Sequence, residues 1–267
     1  MIVAVILLLA AAAAAWCVLR RRKYPLAPGL PPLNLFVVPA ALVSAKLVAA
    51  GNAALARAPL PEPPAGVTRR RIKIPGPNAA SLPLTLYAPE NAAGPLPCLV
   101  YLHGGGFCFA DAGYIHENVM DYARLAGCRV VFVHYRTSEK AAFPAAFADA
   151  CAALRYAWDN AAALGIDRMR LAVGGDSAGD HPSWAAPMLA ERFDGLPPAY
   201  VEVEQFDCLH DEGIAYAAAL QAAGVSVQVE DVRGTFHGFD VFRKADLVKK
   251  QIEARSRALR TAFEKGA

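Results

Sequence analysis

Val173-Gly174-Gly175-Asp176-Ser177-Ala178-Gly179 is the stretch whose reading decides the fold. A short β-type run, Met169 to Val173, feeds straight into it, and inside it lies G-x-S-x-G as Gly175-Asp176-Ser177-Ala178-Gly179. A serine at a sharp strand-to-helix turn sits in a strained backbone conformation, and side chains two residues to either side would collide. Glycine at both places removes the collision. Small residues around a serine also make ordinary turns, so the pentapeptide needs support from elsewhere in the chain.

Upstream, Cys98 to Leu102 is a short apolar run, as expected of a strand buried on both faces, and it ends in His103-Gly104-Gly105-Gly106-Phe107. Three glycines there can be a flexible loop. They also suit an oxyanion hole, whose backbone N–H groups must point at a developing negative charge with nothing in the way. H-G-G-G after one strand with G-x-S-x-G after a later one is far more specific than either alone, and it points to acyl-transfer chemistry.

The surrounding texture fits. Thr68 to Ile74 and Leu82 to Tyr87 read as strands joined by the turn Pro75-Gly76-Pro77-Asn78, Ile115 to Ala126 as a helix, and Arg129 to His134 as a buried strand. Pro144 to Leu164 reads as one long amphipathic helix whose inner face carries Phe147, Cys151, Leu154, Ala157 and Trp158. Strands alternating with helices predict an α/β fold with a mostly parallel central sheet and flanking helices.

Here the chain resembles a family, the α/β-hydrolases of the hormone-sensitive-lipase-like group, which includes bacterial acetyl esterases and carboxylesterases. The resemblance runs from about Val67 to Phe242. It is carried by His103 to Phe107, Tyr135-Arg136, Phe143 to Ala146, Leu164 to Asp167, Gly174 to Gly179, Leu196 to Pro198, Phe206 to Gly213 and Phe236 to Phe239. It implies a Ser–Asp–His triad that hydrolyses short-chain (acetyl-type) carboxylic esters through an acyl-enzyme, with no metal and no organic cofactor. Residue by residue, the nucleophile falls on Ser177. The acid falls on Asp207, the first aspartate of D-x-L-x-D-E after the strand Ala199 to Glu204, and the base on His237, after the strand Ser226 to Val232. The N–H groups of Gly105, Gly106 and Ala178 would bind the oxyanion. His103, Gly104, Gly175, Asp176 and Gly179 support these motifs. Asp211 and Glu212 read as helix-start charges, and His116, His134 and His210 as ordinary polar positions.

The chain departs from the family pattern at one place. Only thirty residues separate Ser177 from Asp207, and Asp180-His181-Pro182-Ser183-Trp184 follows the serine directly, with Asp180 where the family has a third glycine. The helix behind the nucleophile and a central strand are therefore expected to be missing, so that the fold is shortened by about one strand and its helices. The strand Ala199 to Glu204 could then occupy the vacant place beside Arg170 to Val173, which would carry Asp207 roughly 4.8 Å from its usual position.

Composition bounds the remaining classes. The 267 residues suffice for one sizeable domain, the net charge of +3 is modest, and no basic stripe interleaved with aromatics suggests nucleic acid. Six cysteines show no C-x-x-C and no metal-finger spacing, which favours reduced thiols. Ile2 to Leu19 carries no charge and is followed by Arg20-Arg21-Arg22-Lys23, the pattern of an uncleaved, single-pass transmembrane anchor with the domain on the cytoplasmic side of the cell membrane, with a cleaved export signal, for which Ala10 to Ala15 offers a site, as the alternative. The expected organisation is therefore an anchor and basic flank at 1–23, a Pro-rich linker with one apolar helix (Leu33 to Ala58) at 24–66, and a hydrolase domain at 67–267. Two functional readings follow. One is a serine carboxylesterase acting on a small-molecule ester. The other is a non-catalytic member of the same fold with a misaligned triad. Oligomeric state is not legible.

Overall fold

The computed structural model describes residues 2–31, 44–179 and 192–265, with the side chains of 2–10, 13 and 17 outside the description. The chain forms two compact units, Val43–Glu191 with Lys250–Ala267, and Met1–Leu42 with Arg192–Lys249.

The larger unit is built on a five-stranded sheet. Its strands are β1 (Val67–Pro75), β2 (Ser81–Pro89), β3 (Leu96–Leu102), β4 (Arg129–Val133) and β5 (Ile166–Gly175), in the order β1-β2-β4-β3-β5. The β1–β2 and β2–β4 ladders are antiparallel and the β3–β4 and β3–β5 ladders parallel, so the sheet is mixed rather than mostly parallel. The short Pro77–Ala79 turn returns β1 directly into β2. That explains the antiparallel edge, because a tight return cannot make a parallel pair.

Side-chain alternation assigns the two faces. Leu82, Leu84, Cys98, Val100, Val131 and Val133 share one buried cluster with Ala153, Ala157, Ala161 and Leu164. These last four belong to helices α4 (Ala145–Asp159) and α5 (Ala161–Leu164). The opposite face presents Thr85, Tyr87, Tyr101, Val130 and Phe132, and helix α3 (Gly113–Ala126) brings buried His116, Val119 and Met120.

The single helix expected from Pro144 to Leu164 is broken at Asn160, and of its expected inner face only Ala157 is buried. Asp149, Ala153 and Ala157 are buried, whereas Phe147, Leu154 and Trp158 are between 37% and 45% exposed and Cys151 is also exposed. The small residues let α4 approach the sheet closely, while Asp149 holds Arg136 through a two-pronged ion pair of 2.8 and 2.9 Å. Periodicity weighted by side-chain size favoured the outer stripe.

In the second unit, β6 (Ala199–Glu204) and β7 (Val227–Val232) form a separate two-stranded parallel sheet, joined by helix α6 (His210–Ala222). Ala199 to Glu204 could have paired beside β5, but among the described residues no ladder joins it to that strand. Its ladder partner is β7, and β5 is the last strand of its sheet among the described residues. Gly213 lets α6 pack closely, since a Cβ there would lie 2.5 Å from Val203 Cγ1. The segment after α1 (Ile2–Lys23) docks on this unit, with Ala27 N–H donating to the Gly234 carbonyl at 2.9 Å.

The transmembrane span expected at Ile2 to Leu19 is not borne out. Ile2–Lys23 is one continuous helix, yet among the described residues no helix is long and apolar enough to cross a membrane. The helix closes on four cations, Arg20 to Lys23. Of the expected linker helix, Ala45–Arg57 (α2) is described, and the part around Pro39 lies outside the described residues. A last helix, α7 (Asp246–Lys265), ends the described chain.

Candidate active site

Parallel pairing explains how distant motifs meet. β3 and β5 run side by side with Leu102 opposite Gly175, so the loop after β3 and the turn after β5 emerge at the same end of the sheet. Ser177 has φ 53°, in the left-handed region that a non-glycine residue enters only under strain. It opens the short Ser177–Gly179 turn, as a serine on a sharp elbow should.

Asp176 ties the two motifs together. Its Oδ1 accepts the Gly104 N–H at 2.9 Å and the Tyr101 hydroxyl at 2.7 Å. Gly104 must be glycine: a Cβ there would lie 2.5 Å from Asp176 Oδ2 and 3.1 Å from Ser177 Cβ. Because Asp176 takes the Gly104 N–H, the candidate anion-binding donors are the next amides, Gly105 and Gly106, with Ala178 across the turn. Gly105 (φ 121°), Gly106 (φ 60°) and Phe107 (φ 59°) form a run of positive φ that curls the loop back, and Cys108 and Phe109 N–H both donate to the Gly105 carbonyl.

Beneath the loop lies a buried polar layer. His103 is 1% exposed, stacks between Phe132 and Tyr135, and pairs its Nδ1 with the Gly104 carbonyl at 2.7 Å. Burial lowers its pKa to about 4, so the ring is neutral. Asp111, which the sequence reading passed over, sits between two histidines. Its Oδ2 meets His116 Nε2 at 2.6 Å and its Oδ1 meets His134 Nδ1 at 3.1 Å. The other ring nitrogens pair with the Tyr87 hydroxyl at 2.7 Å and the Thr85 hydroxyl at 2.8 Å. His116 and His134 are therefore members of a closed network rather than ordinary polar positions. A lone aspartate in an apolar stretch with two histidines downstream was the available signal. Among the described residues no group of His, Cys, Asp or Glu is arranged to hold a metal ion, and the nitrogens of this cluster are already engaged.

In the second unit the same logic of parallel strands applies. Asp207 follows β6 and His237 follows β7, and the two meet at 2.7 Å through Asp207 Oδ2 and His237 Nδ1. The carboxylate is 4% exposed and the imidazole 46%, so a buried anion orients an accessible ring. Asp207 Oδ1 also accepts the Leu209 N–H at 2.9 Å. Burial pushes the Asp207 pKa up, but the hydrogen bonds from His237 and Leu209 outweigh it and hold the group at about 2. A ring that gives Nδ1–H to a carboxylate keeps Nε2 as its basic nitrogen. Asp211 is fully exposed in the first turn of α6 and pairs with His210 instead. His181 lies outside the described residues. An open cavity of about 540 Å³, lined by Trp158, Ile166 and Met169 among others, lies at the opposite end of β5 from Ser177.

Asp111 and Asp207 together make a prediction about acid. A carboxylate whose folded pKa is depressed stabilises the fold fully above its ordinary value of 3.8, and that stabilisation is lost as pH falls through the folded value. Asp111 is depressed as well, because the hydrogen bonds from His116 and His134 outweigh the opposing effect of burial. Unfolding free energy from denaturant titrations should therefore fall as pH drops from about 4 toward about 2, with Asp111→Asn and Asp207→Asn each flattening that fall. Equal stability at both ends of the window is the contrary result.

A strained serine on a strand-end turn, a glycine loop beside it and an Asp–His pair after parallel strands are the features of the α/β-hydrolase class. The profile of the alpha/beta hydrolase fold family matches residues 99–181 and 180–241, and the chain belongs to that family. Esterase LipI of Mycobacterium tuberculosis is 28% identical over 237 aligned positions, covering 64% of this chain and 73% of LipI. Ethyl acetate hydrolase of Pseudomonas putida is 30% identical over 227, covering 60% and 71%. A bacterial heroin esterase superposes with a TM-score of 0.74 at 28% identity, over 90% of this chain and 99% of that one. These relatives and structural neighbours are carboxylic ester hydrolases by name. For LipI, 64% of 267 residues is about 171, so about 66 of the 237 aligned positions face a gap in this chain. For the ethyl acetate hydrolase, 60% is about 160, leaving about 67 of 227. The two family segments meet at Asp180 and His181.

Proposed function

We propose that the chain is a serine carboxylesterase acting on small esters with short, acetyl-type acyl groups. Ser177 Oγ attacks the ester carbonyl as His237 Nε2 takes its proton. The oxyanion is held by the Gly105, Gly106 and Ala178 N–H groups. His237 then returns the proton to the departing alcohol, leaving an acyl-enzyme that water hydrolyses by the same route. Asp207 orients His237 and stabilises its charged form. The observation that carries this reading is the Asp207–His237 hydrogen bond, formed by residues that lie beyond the interruption at Asp180.

A second reading, a non-catalytic protein of the same fold, is favoured by the roughly 66 absent positions and by the last-strand place of β5. Both suit a fold shortened by about one strand and its helices. Treating the folded chain with a fluorophosphonate and assaying acetyl-ester hydrolysis separates the two. Covalent labelling with turnover supports the esterase, and a well-folded chain that neither labels nor turns over supports the second reading. Cytoplasmic placement is part of the proposal, supported by five cysteines without disulfides among the described residues and, should Ile2 to Leu19 anchor the chain, by the flank Arg20 to Lys23. Release of the domain outside the cell membrane would overturn it.

A further inference from the structure

Helix α2 precedes the stretch matched by the family profile, yet it reaches the loop after β3. Asn52, 7% exposed, gives its Nδ2–H to the Cys108 carbonyl at 2.8 Å and takes the Ala110 N–H on Oδ1 at 2.8 Å. The carboxamide thus pairs with the loop backbone as a neighbouring strand would, using one donor and one acceptor together. Gly51 beside it brings the helix down on the Phe109 ring, where a Cβ would lie 3.1 Å from Cε1. The loop between these contacts is tight: Phe109 N–H donates to the Gly105 carbonyl at 2.9 Å, and a Cβ on Gly105 would lie 2.8 Å from the Phe109 carbonyl oxygen. The loop is therefore held at its entry by Asp176 through Gly104 N–H and at its exit by Asn52.

We propose that Asn52 is a positioning residue for the oxyanion loop, fixing the direction of the Gly105 and Gly106 N–H groups through Cys108 and Ala110. This rests on the esterase reading above. Asn is suited to the position because an aspartate would lose the donor and an alanine would leave the part-buried Ala110 N–H and Cys108 C=O without these partners. A helix that merely packs on the domain would depend on its apolar contacts, of which buried Val48 is one.

The test compares the full chain with Asn52→Ala, Asn52→Asp and Val48→Ala. Amide hydrogen exchange is read over the peptide from Gly104 to Asp111, and kcat and KM are measured on p-nitrophenyl acetate. Asn52→Ala should speed exchange at Ala110 and lower kcat about tenfold, with KM changed by less than about twofold. Asn52→Asp, which keeps the acceptor for Ala110, should lose less exchange protection and still lower kcat. Val48→Ala should keep kcat within about twofold of the parent even where it lowers the unfolding midpoint. Unchanged exchange in folded Asn52 variants, unchanged kcat, or an equal kcat loss in Val48→Ala each overturn the proposal. A parent chain without turnover removes the esterase reading, and the exchange result then decides by itself whether Asn52 holds the loop.

Discussion

Ser177→Ala is expected to abolish fluorophosphonate labelling and to lower ester turnover by at least about 10³-fold, to the assay background. In the proposed mechanism Oγ is the atom that forms the bond to the acyl group. His237→Ala should come close to the same loss, because a serine without a base is a weak nucleophile at neutral pH. Asp207→Asn should cost less than losing His237, since the amide still hydrogen-bonds the ring but supports the wrong tautomer. Asp211→Asn should stay within about twofold, as its carboxylate is fully exposed and pairs with His210. Activity in the parent is expected to be slow, because the serine and the glycine loop lie before the interruption while Asp207 and His237 lie beyond it. Labelling that survives the loss of His237 would move the base elsewhere, with His181 the nearest histidine in sequence.

Gly104→Ala has the next largest expected effect. The added methyl must occupy space 2.5 Å from Asp176 Oδ2, 2.9 Å from the Asp176 carbonyl oxygen and 3.1 Å from Ser177 Cβ. Two of these are backbone or near-backbone atoms of a turn already strained at φ 53°, so the turn or the loop must shift. A shift of about 1 Å costs about 100-fold in rate when it separates a nucleophile from its oxyanion donors. The loss should fall on kcat, since the change sits at the chemistry rather than at a distant substrate contact. Steady-state kinetics check this, and a folded Gly104→Ala with the parent kcat would show that the loop tolerates a Cβ.

Those two motifs were legible in the sequence because their requirements are local. Gly104, Gly105, Gly175 and Gly179 answer to steric demands within a few residues, and Ser177 is fixed by its place between them. Asp207 and His237 were found through a family resemblance, and their pairing follows from β6 and β7 being parallel neighbours. What escaped was decided by non-local packing. The inner face of α4 was misjudged because alanines, not the larger Phe147 and Trp158, meet the sheet. Asp111 and Asn52 were missed because each acts through partners from other elements, β2, α3 and β4 in one case and the loop after β3 in the other. The membrane span expected at Ile2 to Leu19 finds no support among the described residues, which leave out the side chains of residues 2–10.

The position of α2 changes where the working unit of this protein begins. By recognisable motif the hydrolase starts at the profile match from residue 99, and by sheet it starts at Val67. By mechanical support it starts at Ser44, whose side chain caps α2 by accepting the Leu47 N–H at 3.3 Å. A chain cut at Val67 would keep the whole sheet and every candidate catalytic side chain, yet release the exit of the glycine loop. The boundary of inheritance and the boundary of function therefore lie at different residues.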